Sequence, residues 1–285
     1  MAVDNKTASI GTSTDEPAAL FFDADGTLVW SDEEEMANGD TEFNDFLPNA
    51  YVYEAFERLH TRGHQTYLCT GRPRAFIPQG LLDLGFTGII SGAGTSITLG
   101  DRVVYEALIP RDVTLRLAAL LLREGIDVLM ESHTAPVLLS AKREPKAGFT
   151  EVPVAGSVEE MERIAPKLEF CKLSHMGGPD WNTGELGQLI KEHFTEYDMG
   201  LAKELGMRGV DKGSAVKRVL ELTGHGVHNT YAFGDSENDL PMFPAVETKV
   251  AMGNAMPCVK EQADYVTGHA NADGIPQALE HFGLI

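Results

Sequence analysis

Two acidic segments, far apart in the chain, carry the residues best suited to chemistry. They are Phe21-Phe22-Asp23-Ala24-Asp25-Gly26-Thr27 and Gly234-Asp235-Ser236-Glu237-Asn238-Asp239. Each follows an apolar run, Ala18 to Phe22 and Tyr231 to Phe233, that reads as a buried strand. Carboxylates at the carboxyl ends of two such strands meet at one rim, where open α/β sheets place their ligands. Several carboxylates in one place repel one another unless a cation or protons intervene. All-oxygen ligation predicts a hard metal, with Mg2+ the first choice.

Asp23 and Asp25 stand two residues apart at a strand end, so both can face the same side of the sheet. Gly26 then permits a sharp turn away. Such a pair can divide labour. Ionised Asp23 suits a nucleophile once a cation offsets its repulsion with an anionic phosphorus centre. Asp25 suits the group that protonates a leaving oxygen and later activates water.

Other residues fit the same rim. Thr70-Gly71-Arg72-Pro73 would end a second strand, where a hydroxyl and exposed amides suit a phosphate oxygen. Lys212 opens a helix, from which its ammonium can reach the rim. Asp235 offers a further metal ligand and Asn238 an amide for phosphate or substrate. Asp239 fits a supporting group behind the metal or a helix cap as well as it fits a metal ligand. Singly, each signal has a plainer meaning: a turn, a calcium loop or a solvated lysine. Their order along one chain is what carries weight.

The elements that position these residues follow from periodicity. Val52, Ala55, Phe56 and Leu59 recur at helical spacing before Gly63, and Gln65 to Cys69 reads as a strand. A short helix over Leu81 to Leu84 and a strand over Thr87 to Ile90 complete a β-α-β-α-β alternation. After Ser91-Gly92-Ala93-Gly94 the rhythm changes. A hairpin over Ser96 to Tyr105, turning at Gly100-Asp101, leads to a helix from Arg111 to Arg123. Strands are expected at 126–130, 136–139, 168–173 and 196–201, and helices at 158–164 and 185–194. From Gly209 the α/β alternation resumes, with Asp211 as N-cap of a helix over Lys212 to Leu222. The fold class is therefore α/β: a Rossmann-like, doubly wound, mostly parallel core with an inserted α+β cap. The expected division is a disordered tail over 1–17, a core over 18–85 and 209–285, and a cap over 86–208. Ser31-Asp32-Glu33-Glu34-Glu35 reads as a solvated loop rather than a metal site.

The formal net charge of −20 argues against nucleic acid or an anionic membrane as partner. Three scattered cysteines form neither a metal-ligand spacing nor a disulfide framework, which fits a reducing, cytoplasmic setting. No apolar run approaches the roughly 20 residues that span a bilayer, and the N-terminal stretch lacks a signal pattern. Oligomeric state is not legible.

With these motifs in hand, the chain resembles the haloacid dehalogenase superfamily. Asp23-x-Asp25-Gly26-Thr27, Thr70, Lys212 and Gly234-Asp235-x-x-Asn238-Asp239 match its four motifs in order. The insertion between the second and third is similar to the α+β cap of the Cof-type subfamily (IIB). Val250 to Ala255, Ala263 to Thr267 and Asp273-Gly274-Ile275 are similar to that subfamily's C-terminal end. The resemblance implies a phosphoaspartate on Asp23, with Asp25 as general acid and then base. It implies Mg2+ held by the Asp23 carboxylate, the Asp25 backbone carbonyl and the Asp235 carboxylate. Phosphate would contact the Ala24 backbone, Thr70, Gly71, Lys212 and Asn238, and Asp239 would support Lys212 or a metal-bound water. Ala24 departs from the larger apolar residue often found there, where only the backbone matters.

The leading expectation is a Mg2+-dependent phosphatase acting on a small phosphorylated metabolite, a sugar phosphate by preference. A hexose phosphomutase, similar to phosphomannomutase, is the alternative; it would need converging basic residues in the cap. Lys142-Arg143-Glu144-Pro145-Lys146 is the only tight basic cluster there. A phospholigand binder without catalysis is a third reading, which the intact Asp23 and Asp25 oppose. Substrate choice is expected in the cap, with His133, His175, Met176, Trp181 and Asn182 as candidate lining. Hinges are expected near Ser91 and Gly209.

Overall fold

The computed structural model describes residues 16–30, 47–146, 149–198 and 203–285. Most of the expected N-terminal tail and the acidic loop from Ser31 lie outside the described residues.

Among the described residues, fourteen strands fall into two sheets. In chain order they are β1 (Ala19–Phe22), β2 (Gln65–Cys69), β3 (Gly88–Ser91), β4 (Ser96–Leu99) and β5 (Arg102–Glu106). Then follow β6 (Asp127–Glu131), β7 (Val137–Leu139), β8 (Val154–Ala155), β9 (Lys172–Gly177), β10 (Phe194–Asp198) and β11 (Lys203–Met207). The chain closes with β12 (Thr230–Gly234), β13 (Thr248–Ala251) and β14 (Tyr265–Val266). The larger sheet runs β14-β13-β12-β1-β2-β3-β4-β5, parallel as far as β3 and antiparallel beyond it. The smaller sheet runs β10-β11-β9-β6-β7-β8.

β1 is the centre of the larger sheet, and all four of its residues are buried. Phe22 stacks on Phe233 of β12 with ring centroids 4.6 Å apart and lies 5.0 Å from Phe56 on the helix Ala50–Thr61. Phe21 stacks on Tyr67 of β2 at 4.8 Å. The register sets Phe22 level with Phe233 on one side and with Leu68 on the other. The segments after these three strands therefore leave the sheet at the same rim. That alignment brings the motifs together.

The helix Ala50–Thr61 forms where the 3.6-residue spacing placed it, burying Val52, Ala55, Phe56 and Leu59 behind an Asn49 cap. Asp211 caps the helix Lys212–Thr223 in a reciprocal box with Ser214.

Two readings change. The hairpin of β4 and β5, expected in the inserted unit, extends the larger sheet instead, because β4 pairs with β3 along its whole length. The larger sheet thus continues to Glu106, past the boundary expected at residue 86, and Ser91 closes β3. The strand expected at 168–173 begins only at Lys172, since Leu168 turns the chain at φ 53°. The smaller sheet has its own core, with Leu117, Leu121, Phe170, Trp181 and Leu189 buried together.

A histidine ties the two units. The Arg74 amide donates to His133 Nδ1 (3.1 Å), so Nε2 carries the proton and faces Thr95 Oγ1 at 3.0 Å. Burial, with the Arg74 charge adding, lowers the His133 pKa from 6.5 to about 4. The neutral ring is what the fold accommodates. As pH falls through 6.5 the unfolded chain takes up this proton first, so stability is lost between about 6.5 and about 4.

Two measurements follow. Phe22→Ala is expected to cost about 3–5 kcal/mol in denaturant unfolding, as for a large buried aromatic; a loss under about 1 kcal/mol would contradict the packing described. Wild type is expected to lose up to roughly 3 kcal/mol more than His133→Gln between pH 7 and pH 4, and parallel pH profiles would refute the clasp.

Candidate active site

The turn after β1 is built around one carbonyl. Thr27, Leu28 and Val29 all donate their amides to Ala24 O, at 3.2, 2.9 and 2.9 Å. Gly26 has φ +79°, and a Cβ there would collide with the Asp235 carboxylate. Only glycine lets the first acidic loop lie against the second. Asn254 holds this turn from the opposite side, donating to Gly26 O at 2.7 Å and accepting from the Ala270 amide at 2.9 Å.

Buried behind Asp23 is Lys212. Its Nζ lies 2.6 Å from Asp23 Oδ1 and 2.5 Å from Asp239 Oδ1, and all three side chains are buried. The other Asp239 oxygen accepts the amides of Asp235 (2.9 Å) and Ser236 (3.1 Å). Asp239 thus bonds Lys212 and, from the third position, completes the capping box with Ser236 at the start of the 3₁₀ segment Glu237–Ala245. Burial opposes the charge on Lys212, but Asp23 and Asp239 together outweigh it, so its pKa rises.

Oxygens of Asp23, Asp235 and Asp239 all lie within 4.8 Å of one another. One ammonium set against these carboxylates leaves an excess of negative charge. Burial, reinforced by Asp239, pushes Asp23 up to about 7 and Asp235 up to about 9. Carboxylates held this close in a dry place must take protons or a cation. The donor set is all oxygen, which fits a hard divalent ion.

Asp25 faces elsewhere. Arg72 grips it with two parallel bonds, Nε to Oδ2 at 2.9 Å and Nη2 to Oδ1 at 2.6 Å. Arg72 is buried, while the Asp25 side chain remains 43 % exposed. Arg72 sits within the Thr70-Gly71-Arg72-Pro73 turn, where nothing in the residue types points to Asp25 as its partner. Charge alone in that turn was the available signal. Thr70 Oγ1 accepts the Arg72 amide at 3.0 Å, so the threonine shapes the turn.

Asp23, Asp25, Gly71 and Asn238 border a cavity of about 280 Å³ between the rim and the smaller sheet. Lys212, Thr70, Ala24 and Asp239 lie behind that wall. Ser236 Oγ donates to Asn238 Oδ1 at 3.1 Å, and the Asn238 amide nitrogen lies close to Gly71. The opposite wall comes from Phe76, Leu129, Glu131, Phe149, Lys172 and neighbours. None of His133, His175, Met176, Trp181 and Asn182 borders it; Trp181 is a core residue of the smaller sheet.

A family model described as haloacid dehalogenase-like hydrolase matches residues 20–279. The chain is 28 % identical over 275 residues to YkrA, a candidate phosphatase of Bacillus subtilis, covering 93 % of this chain and 98 % of that protein. A solved structure of the HAD subclass IIB sugar phosphatase BT4131 is 26 % identical, with a TM-score of 0.74 over 94 % of this chain and 100 % of that one. The phosphatase BT1666 of Bacteroides thetaiotaomicron shares the fold, with a TM-score of 0.75 at 24 % identity over 98 % of this chain and 100 % of that one.

The carboxylate cluster is directly testable. Millimolar Mg2+ is expected to raise the thermal midpoint of the protein, in line with about 3 kcal/mol at a hundredfold excess over Kd. Asp235→Asn should lose most of that gain. Equal shifts in both proteins would place the cation elsewhere.

Proposed function

The chain belongs to the haloacid dehalogenase-like hydrolases, and we propose that this phosphatase cleaves the phosphomonoester of a small metabolite, a sugar phosphate by preference, through a phosphoaspartate on Asp23. The observation that carries the reading is the placement of Asp23: buried, with its carboxylate within 4.8 Å of those of Asp235 and Asp239, and bonded to Lys212 at the edge of the cavity. The YkrA likeness supports phosphatase chemistry, and the BT4131 likeness supports the sugar class.

In this reading the Asp23 and Asp235 carboxylates and the Asp25 backbone carbonyl would hold Mg2+, which would supply charge neutralisation at the phosphoryl group. Lys212 favours the ionised form of Asp23 against the burial that opposes it, and orients the oxygen that attacks phosphorus. Gly71, Asn238 and the Ala24 backbone surround the phosphoryl group, with Thr70 holding the turn that presents Gly71. Asp25 gives a proton to the leaving alcohol and then takes one from the water that opens the acyl phosphate. The Arg72 fork uses one lone pair on each Asp25 oxygen and leaves the others open to the cavity side, where the side chain is exposed. Arg72 is therefore a positioning residue that sets where Asp25 waits. The smaller sheet, roofing the cavity, keeps bulk water from the intermediate.

No basic cluster on that roof favours the mutase. Arg143 is bonded to Glu160 and Lys146 to Asp127, and neither borders the cavity. No helix among the described residues is long and apolar enough to cross a membrane. A cytoplasmic setting and a small-molecule partner belong to this proposal.

Asp23→Asn is expected to abolish phosphate release from sugar phosphates with Mg2+, a loss of at least about 10⁴-fold, because the nucleophile itself is removed. A folded variant with full activity would sink the mechanism.

A further inference from the structure

The roof of the cavity carries a charge cluster that the reaction at the rim does not use. On the smaller sheet, Glu131 pairs in register with Lys172, Leu129 with Ser174, and Ser174 with Glu204. Side chains alternate across a strand, so these positions share one face, and all five border the cavity. Lys172 Nζ lies 3.2 Å from Glu131 Oε1 and 2.7 Å from Glu204 Oε1. Ser174 Oγ also donates to Glu131 Oε1, at 2.6 Å.

Stability does not account for this cluster. A buried ion triad gains little over apolar residues of the same shape, because desolvation offsets the attraction. Its geometry is directional instead. The shortest contacts of both glutamates fall on Oε1, with Lys172 against Oε1 of each and Ser174 against Oε1 of Glu131. Lys172 spends its charge on two carboxylates, so it is not available as an anchor for an anion. It also stands next to the phosphate turn, 3.8 Å from where a Cβ on Gly71 would lie. Beside the triad, Phe76 and Phe149 meet edge to face at 6.2 Å and, with Leu129, form an apolar surface.

From this arrangement we infer that Glu131 and Glu204 read the hydroxyl groups of an uncharged, polyhydroxylated alcohol half, and that this wall rejects a second anionic group. The hydroxyls donate to the two carboxylates, and the carbon face of the alcohol packs on Phe76, Phe149 and Leu129. A carboxylate or second phosphate in the same place would meet two acidic side chains whose shared cation is already engaged. The inference rests on the phosphatase reading and names which half of the ester this wall selects.

Glucitol 6-phosphate and 6-phosphogluconate test it, since they differ only in a terminal CH2OH against a carboxylate. Wild type is expected to favour the glucitol ester at least about tenfold in kcat/KM. In Glu204→Gln and in Glu131→Gln that ratio should fall to within about threefold of one, whatever happens to either rate alone. Calorimetry with the non-hydrolysable phosphonates of the same pair reads the wall without turnover. Preferential binding of the neutral phosphonate with no hydrolysis of either ester would remove the phosphatase reading and keep the inference about the wall. A wild-type ratio near one in both measurements, or variants that retain the wild-type ratio, would overturn it. Should Glu131→Gln fail to fold, Glu204→Gln decides, because Glu204 is the more exposed of the two.

Discussion

Everything at the rim depends on one electrostatic constraint. Asp23, Asp235 and Asp239 are crowded together, and among the described residues Lys212 is the cation that answers them. Taking one carboxylate out of water is costly, and crowding several multiplies the cost. Lys212 offsets part of it and Asp239 is further tied by two backbone amides. What is left uncompensated is negative charge facing a cavity. A site in that condition attracts a hard cation, and with it an anion such as a phosphoryl group. The raised positions of Asp23 and Asp235 on the pH scale express the same imbalance.

Backbone geometry makes this crowding possible. The level ends of β1, β2 and β12 deliver three segments to one edge. Gly26 lets the first acidic loop touch Asp235, and Asn254 braces the turn from a later segment. Lys212 needs no long reach, because the Asp211 cap starts its helix next to the rim. Residues from four separated stretches thus act on one small volume, each held by bonds that have no part in chemistry.

The two sheets divide the work. The larger one holds the groups that would attack phosphorus and move protons, and the smaller one supplies the facing wall. That wall is not a passive lid: its Glu131-Lys172-Glu204 triad sets two carboxylates and an ammonium against the cavity. The clasp from His133 to Arg74 and Thr95 joins the two units through a neutral ring, so their contact is itself sensitive to acid.

Much of the larger sheet was legible along the chain. Apolar runs such as Ala18 to Phe22 and Gln65 to Cys69 belong to strands buried on both faces, and helical spacing marked Val52 to Leu59. The β4–β5 hairpin was assigned to the wrong unit because a hairpin is a local signal, whereas sheet membership depends on which edge is free. Asp23, Asp25, Lys212 and Asp235 stood out because residue type and order in the sequence suffice to mark a phosphoryl chemistry. Tertiary structure alone decided the partners: Arg72 on Asp25, Asn254 on Gly26, and the triad on the facing wall. Those depend on register and on approach between segments far apart, and no local pattern encodes a distance across a cavity. The chain by itself marked the acidic and basic residues of the rim; the fold determined what they face.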